Sequence, residues 1–316
     1  MKTALIGMIL LSSLFGGPSL ISDRGASAGS DREQYVRTAE VFGINSIGYM
    51  TELGIPNQCW SSDPASEPPV GRIFLQRHDG TWVQNGTGSV VESNRVVVTN
   101  AHVVAYNYDR LVDKEVVYLP PERIRFRLYE GTPDDCREVD YDVQQATYGD
   151  FFREGVVDRA QDYAVLTLVE PALAYAPQRL GHEHEFNMAV IRKKQVLMVG
   201  FPNHPDNNNG LNYAATTCEL NFGLYEGMRI THDCDSFPGS SGSPITLILP
   251  SNEEASQSRY ERIFIAMNTS NAVHPDAEVG AIYSARTINF NVAVHLSFGL
   301  SAAIEEAVSA IEGVSD

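Results

Sequence analysis

"DSFPGSSGSP", residues 235–244, sets three serines in the four positions 240–243, with Gly239 before them, Gly242 among them and Pro244 closing the stretch. Cys234 precedes it and the apolar run "ITLILP" (245–250) continues directly from it. Gly and Ser are the usual residues of flexible linkers, but a linker is seldom flanked by a strand-like apolar run. The alternative is a backbone that turns tightly and aims its own N–H groups at a target. The rest of the chain decides between the two.

From Val70 onward short apolar runs recur, among them "VGRIFLQ" (70–76), "RVVVTNAHVV" (95–104), "RIRFRLY" (123–129), "DYAVLTLV" (162–169), "QVLMVGF" (195–201) and "RIFIAMN" (262–268). They are rich in Val, Ile, Leu, Phe and Tyr and are separated by Gly, Pro, Asn and Asp, the pattern of an all-β barrel or sandwich. Only the end of the chain reads as helical: Leu300, Ile304, Val308 and Ile311 make one apolar stripe. Residues 29–69 are polar, end in "SSDPASEPP" and lack clear strand alternation, so they read as an N-terminal extension or pro-segment with a linker at 61–69.

The 316 residues, 43% of them hydrophobic, suffice for one large or two moderate cores. A net charge of -17 argues against a nucleic-acid partner, which needs a basic face to meet phosphates; it suits a soluble monomer and mildly favours cationic partners. Lys2, the apolar run "ALIGMILLSSLF" (4–15) and the small-x-small triplet Ala26-Ser27-Ala28 read as a signal peptide over 1–28. Its removal leaves 21 basic and 39 acidic residues, a net charge of -18. The run is too short to span a bilayer, so the mature form is expected to be secreted or periplasmic, with no membrane anchor.

Export gives meaning to Cys59, Cys136, Cys218 and Cys234, since disulfides persist outside the cytosol. Four cysteines allow three pairings; the short loop favours Cys218–Cys234, leaving Cys59–Cys136 to tie the extension to the strand-rich region beyond it. No CxxC or clustered His/Cys spacing accompanies them, and "HEHE" (182–185) and "DNNNG" (206–210) read as polar loop and turn, so neither a metal nor another cofactor is expected.

Two further positions stand beside strands. His102 comes directly after the run "VVVTNA", and Asp162 opens "DYAVLTL". A carboxylate at a buried strand start costs free energy unless it is paired. A serine hydroxyl near pH 7 needs a base to take its proton; histidine, with an ordinary pKa near that pH, is such a base; a buried carboxylate fixes the imidazole tautomer. Gly239 and Gly242 let the chain turn so that the N–H groups of Gly239 and Ser241 converge on one oxygen, as an oxyanion hole requires.

"GTGSVV" (86–91), "TNAHVV" (99–104), "DYAVLTL" (162–168) and "GSSGSP" (239–244) together resemble the chymotrypsin-like serine peptidases over residues 70–312, nearest in look to the bacterial secreted branch that includes the glutamyl endopeptidases. The resemblance implies two six-stranded antiparallel barrels, 70–178 and 179–316, the second ending in a helix. It puts a catalytic His102, Asp162 and Ser241 in the cleft between them, acting on a protein or peptide. A cysteine pair around the nucleophile is common in that branch, which supports Cys218–Cys234. Two departures stand out. Ser240 occupies the position where animal digestive members carry an aspartate that pairs with a new N-terminus, and the animal cysteine pair beside the catalytic histidine is absent.

Asp235 sits six residues before Ser241, where trypsin-like members hold the carboxylate of the P1 pocket; as a structural hydrogen-bonding residue it would have no such role. Asn268, Thr269 and Ser270 are expected to line a wall of that pocket. Glutamyl peptidases place a histidine where Asn268 stands, so a basic P1 preference is expected over an acidic one. A catalytically silent binding protein of the same fold would normally lose one of the three catalytic candidates, all of which are kept. An α/β-hydrolase using Asp276 and His295 fails because Ser243 breaks the G-x-S-x-G elbow and no strand–helix alternation exists.

Overall fold

The computed structural model describes residues 48–49, 69–105, 116–131, 135–153, 156–194, 196–201, 214–223, 229–232, 234, 239–250, 260–272, 290–296 and 299–313. The two-residue strand β1 (Gly48–Tyr49) precedes β2 (Val70–Gln76), β3 (Trp82–Val90), β4 (Val96–Thr99), β5 (Ile124–Glu130) and β6 (Arg137–Tyr148). A small ribbon, β7 (Phe152–Arg153) with β8 (Val156–Val157), leads to β9 (Ala164–Leu168) and β10 (Arg179–Leu180). Strands β2-β3-β4-β9-β6-β5 close into a six-stranded antiparallel barrel.

The second half contributes β11 (Val196–Gly200), β12 (Ala214–Cys218), β13 (Leu220–Gly223), β14 (Arg229–His232), β15 (Pro244–Pro250), β16 (Tyr260–Ala272) and β17 (Phe290–His295). Their sheet runs β1-β12-β11-β15-β16-β17-β14-β13, with β10 beside β16. Its path starts near β12 and ends at β13, and only Glu219 separates those two in sequence, so the sheet curls into a nearly closed barrel. Counting β12 and β13 as one bent segment gives the expected six strands, to which β1 and β10 are added at the margins. The N-terminal extension therefore does hold a short strand, paired to β12 of the second barrel, which its polar composition did not foretell.

Period-two alternation explains why some strands are apolar throughout. In β4, Val97 points into the first barrel, while Val96 and Val98 join a cluster with Phe264, Met267 and Val294 of the second. In β9 the division is Ala164, Leu166 and Leu168 inward and Val165 outward. Strand β5 has one wet face and reads differently: Ile124, Phe126 and Leu128 are buried, whereas Arg125 and Arg127 pair with Asp140 and Asp142 of β6. The strands buried on both faces thus mark the seam between barrels. The C-terminal helix Leu300–Glu312 seals that seam with the stripe its sequence announced, Leu300 and Ile304 buried and Val308 and Ile311 packed against the cluster.

Cys218 and Cys234 are disulfide-bonded, with Cα atoms 4.9 Å apart, inside the usual range for such bonds. They stand two residues beyond the Leu220↔His232 pair of the β13–β14 hairpin, so the bond continues that ladder. Closing a loop of this length contributes about 3 kcal/mol in the chain-entropy account. Cys136 is also disulfide-bonded; its expected partner, Cys59, lies outside the described residues, as do the expected signal peptide and all but the last residue of the expected linker at 61–69.

Residues 182–185, expected as a polar loop, instead open a second helix, Glu183–Val190, whose start is capped as Glu185 accepts from His182 N at 2.8 Å. His295, at the end of β17, packs its ring 4.0 Å from that of Phe186 on this helix. Burial lowers its pKa to about 4 from an ordinary 6.5. The folded state therefore favours neutral imidazole: this contribution to stability is complete above pH 6.5 and is lost as pH falls toward about 4. Melting temperatures of the wild type should fall across that window, and His295→Gln should flatten the fall; an unchanged pH slope in the variant would contradict the assignment.

Candidate active site

Strand β4 ends at Thr99, and the chain turns through a single 3-10 turn, His102–Val104, that lifts the His102 ring to the seam while Val103 and Val104 stay buried. Asp162 sits just before β9 and is itself buried. Because β4 and β9 pair antiparallel, Thr99 opposite Ala164, the end of one and the start of the other bring His102 and Asp162 together. His102 Nδ1 lies 2.7 Å from Asp162 Oδ2, and the His102 backbone N–H donates to Oδ1 at 3.0 Å. Asn100 Nδ2 donates to the Asp162 carbonyl at 2.8 Å. The Thr269 hydroxyl of the second barrel also donates to Asp162 Oδ2. A carboxylate oxygen can only accept, so Nδ1 carries the ring hydrogen and the neutral imidazole keeps its lone pair on Nε2. Burial, then the negative charge of Asp162, push the Tyr118 phenol above its ordinary value. Asp158 is spent elsewhere: exposed, it caps the next turn by accepting from Ala160 N at 3.0 Å.

The "GSSGSP" stretch forms a tight turn held between Thr87 of the first barrel and Asn268 of the second. Ser243 N donates to Ser240 O at 3.0 Å, and Gly242 has φ +85°, the positive φ that a type II turn demands at its third residue. A side chain at Gly242 would also collide with the Thr87 carbonyl oxygen. Of the three serines, Ser240 and Ser243 are 3% and 0% exposed, and only Ser241 reaches the seam partly open. Ser241 Oγ lies 3.4 Å from the carbonyl oxygen of Thr269, the residue whose side chain holds Asp162. Gly239 has φ +92°.

Thr87, in the "GTGSVV" stretch of β3, docks the turn on the first barrel. Its N–H donates to Ser241 O at 2.8 Å and its hydroxyl to Gly239 O at 2.9 Å. The same hydroxyl accepts from Phe201 N at 3.1 Å, and its carbonyl accepts from Thr99 Oγ1 at 2.7 Å. Gly86 is small for the same reason, since a Cβ there would lie 2.7 Å from Val103 and 3.0 Å from Ser241 O. Residue type alone gave Thr87 no role; its place inside "GTGSVV" was the only signal.

The expected pocket wall divides. Thr269 faces Asp162, whereas Asn268 is 1% exposed, with its amide between His232 and Ser240. A bulge in β16 between Asn268 and Ser270 shifts the register against β17 there. The Ser270 side chain and Asp235 lie outside the described residues, as does Asp276. Cys218, His232 and Cys234 bring possible ligand atoms within 4.8 Å of one another, but both sulfurs are committed to the disulfide and offer no thiolate.

The chain matches the trypsin-like peptidase domain over residues 86–247, a span that takes in His102, Asp162, Ser241 and the docking residue Thr87. It belongs to that family, and is accordingly a serine peptidase by class with a protein or peptide as its substrate. No curated protein matches the chain.

Replacing Thr87 tests the docking. Thr87→Val keeps the shape but strands the Gly239 carbonyl and the Phe201 N–H, so urea unfolding should show a loss of about 1–3 kcal/mol; Thr87→Ser should recover most of it.

Proposed function

We propose that this protein is a secreted endopeptidase that cleaves peptide bonds through an acyl-enzyme formed on Ser241, with His102 as base and Asp162 as its anchor. The observation that carries the reading is a buried carboxylate bonded to His102 Nδ1 and to the Thr269 hydroxyl, with the Thr269 carbonyl oxygen 3.4 Å from Oγ of Ser241, the one partly exposed serine of the "GSSGSP" turn. With Nδ1–H held by Asp162, the Nε2 lone pair takes the Ser241 proton as Oγ attacks the scissile carbonyl. The tetrahedral oxygen that forms is stabilised by the N–H groups of Gly239 and Ser241. His102, now charged, is stabilised by Asp162 and returns its proton to the leaving amine; water then repeats the sequence to release the acid product. No metal or organic cofactor enters these steps. Export is proposed from residues 1–28, and a monomer from the strongly acidic charge.

A fluorophosphonate probe should label Ser241 and nothing else, and Ser241→Ala should lower kcat by about 10⁵–10⁶-fold with the melting temperature unchanged. Labelling of Ser240 or Ser243, or near-normal turnover in the variant, would overturn the assignment; a wild type that takes no label would be a binding protein instead. Asp162→Asn should cost about 10⁴ in kcat because the imidazole tautomer is lost, whereas Asp158→Asn should be mild.

We further propose a preference for Arg or Lys at P1, resting on Asp235 six residues before Ser241. An ionised carboxylate in a poorly hydrated pocket forms a charge-assisted hydrogen bond with a basic side chain and repels an acidic one. Matched chromogenic substrates should give a higher kcat/KM for P1 Arg than for P1 Glu, with the difference lost in Asp235→Ser. Preference for Glu in the wild type would overturn this and favour a glutamyl peptidase.

A further inference from the structure

We infer that Asn268, held from behind by His232, is a positioning residue that orients the Ser241 N–H for oxyanion binding. The inference rests on Ser241 being the nucleophile. Asn268 Nδ2 donates to the Ser240 carbonyl oxygen at 2.9 Å. The described peptide bonds are trans, and in a trans peptide the C=O and the following N–H point in opposite directions within one plane. Fixing Ser240 O therefore fixes the direction of the Ser241 N–H, one of the two donors proposed for the oxyanion.

Ser240 O also accepts from Ser243 N at 3.0 Å, but that donor belongs to the same turn and moves with it. Asn268 sits on β16, inside the second barrel, and so ties the peptide plane to the frame. Its backbone grips the turn as well: Gly242 N donates to Asn268 O at 3.0 Å, and Asn268 N donates to Ser243 O at 2.9 Å. An asparagine amide can reverse end for end, which would set its oxygen against Ser240 O. The Ser240 carbonyl, which can only accept, opposes that, and His232 completes the arrangement. Its Nε2 lies 3.1 Å from Asn268 Oδ1, and since Nδ2 is the end that donates to Ser240, Oδ1 must accept and Nε2 must carry a hydrogen. His232 is wholly buried in β14, so the ring cannot swing away. The polar order is His232 to Asn268 to Ser240, ending at the Ser241 N–H. Ser240 itself supplies no charged side chain for this purpose.

Asn268, expected from its sequence position on the substrate wall, has its amide engaged at both ends by these contacts. A buried amide engaged at both ends contributes alignment, and alignment of an oxyanion donor acts on the transition state rather than on ground-state binding.

The test is Asn268→Leu in the full chain, which keeps the volume and deletes the donor. Per probe-labelled site, kcat for a peptide ester should fall about 10- to 100-fold with KM within about twofold. The inhibition constant of a peptide trifluoromethyl ketone, whose adduct oxygen occupies the oxyanion position, should rise by the same factor, and the P1 profile should not change. Wild-type kcat per site, with or without a lower melting temperature, would make Asn268 structural and overturn the inference. A changed P1 profile with retained kcat would make it a substrate contact and overturn it equally. If Asn268→Leu does not fold, His232→Phe, which keeps the ring and deletes the Nε2 donor, should show the same joint shift in kcat and inhibitor affinity at about three- to tenfold, and its absence would be decisive against the inference. Labelling of the wild type at a residue other than Ser241 would instead sink the underlying catalytic reading.

Discussion

The Asp162 carboxylate sits buried where the two barrels meet, and the surrounding architecture answers the need to satisfy it. An ionised carboxyl removed from water costs several kcal/mol unless donors replace its hydration. Here the donors come from both sides of the seam: the His102 backbone and ring from the first barrel, and the Thr269 hydroxyl from the second. Docking of the second barrel adds the third of these donors. The group that gives the imidazole its tautomer is thus also a group that registers one barrel against the other.

A second set of bonds does the same for the serine turn. Thr87 reaches from β3 to Gly239 and Ser241, Asn268 reaches from β16 to Ser240, and the turn lies between them. Glycine at 86, 200 and 242 is what lets these backbones approach so closely, since a Cβ at each would collide with Val103, Ser243 or Thr87 respectively. Apolar packing supplies the bulk of the attraction, through Val96, Val98 and Val165 on one side and Phe264, Met267 and Val294 on the other, with the terminal helix over them. Polar bonds then fix register within that apolar contact, and the site inherits its geometry from that division.

Much of this was legible in the order of residues. The alternation of apolar runs announced an all-β chain, the stripe at Leu300, Ile304, Val308 and Ile311 announced the one terminal helix, and His102, Asp162 and Ser241 stood out because each lay where a strand begins or ends. These signals are local: strand and helix periods are properties of neighbours in sequence, and a polar residue at a strand mouth is visible from the run beside it. The short loop between Cys218 and Cys234 belonged to the same class of information, and the bond between them is present.

What the tertiary structure alone decided are the partnerships of residues far apart. Thr87 and Gly239 are 152 positions apart, Asn268 and Ser240 are 28, and Thr269 and Asp162 are 107; no periodicity relates such pairs. Hence the sequence singled out three closely spaced serines as one motif but not that two of them are buried, and it gave Asn268 a place on β16 without showing that its amide bridges His232 and Ser240, because strand position carries no account of which hydrogen bonds a side chain will find. It also gave no hint that β4 and β9 are apolar on both faces because a second barrel covers the outer one. Local pattern fixes what each segment can become, and the competition for buried donors and acceptors fixes what each side chain then does.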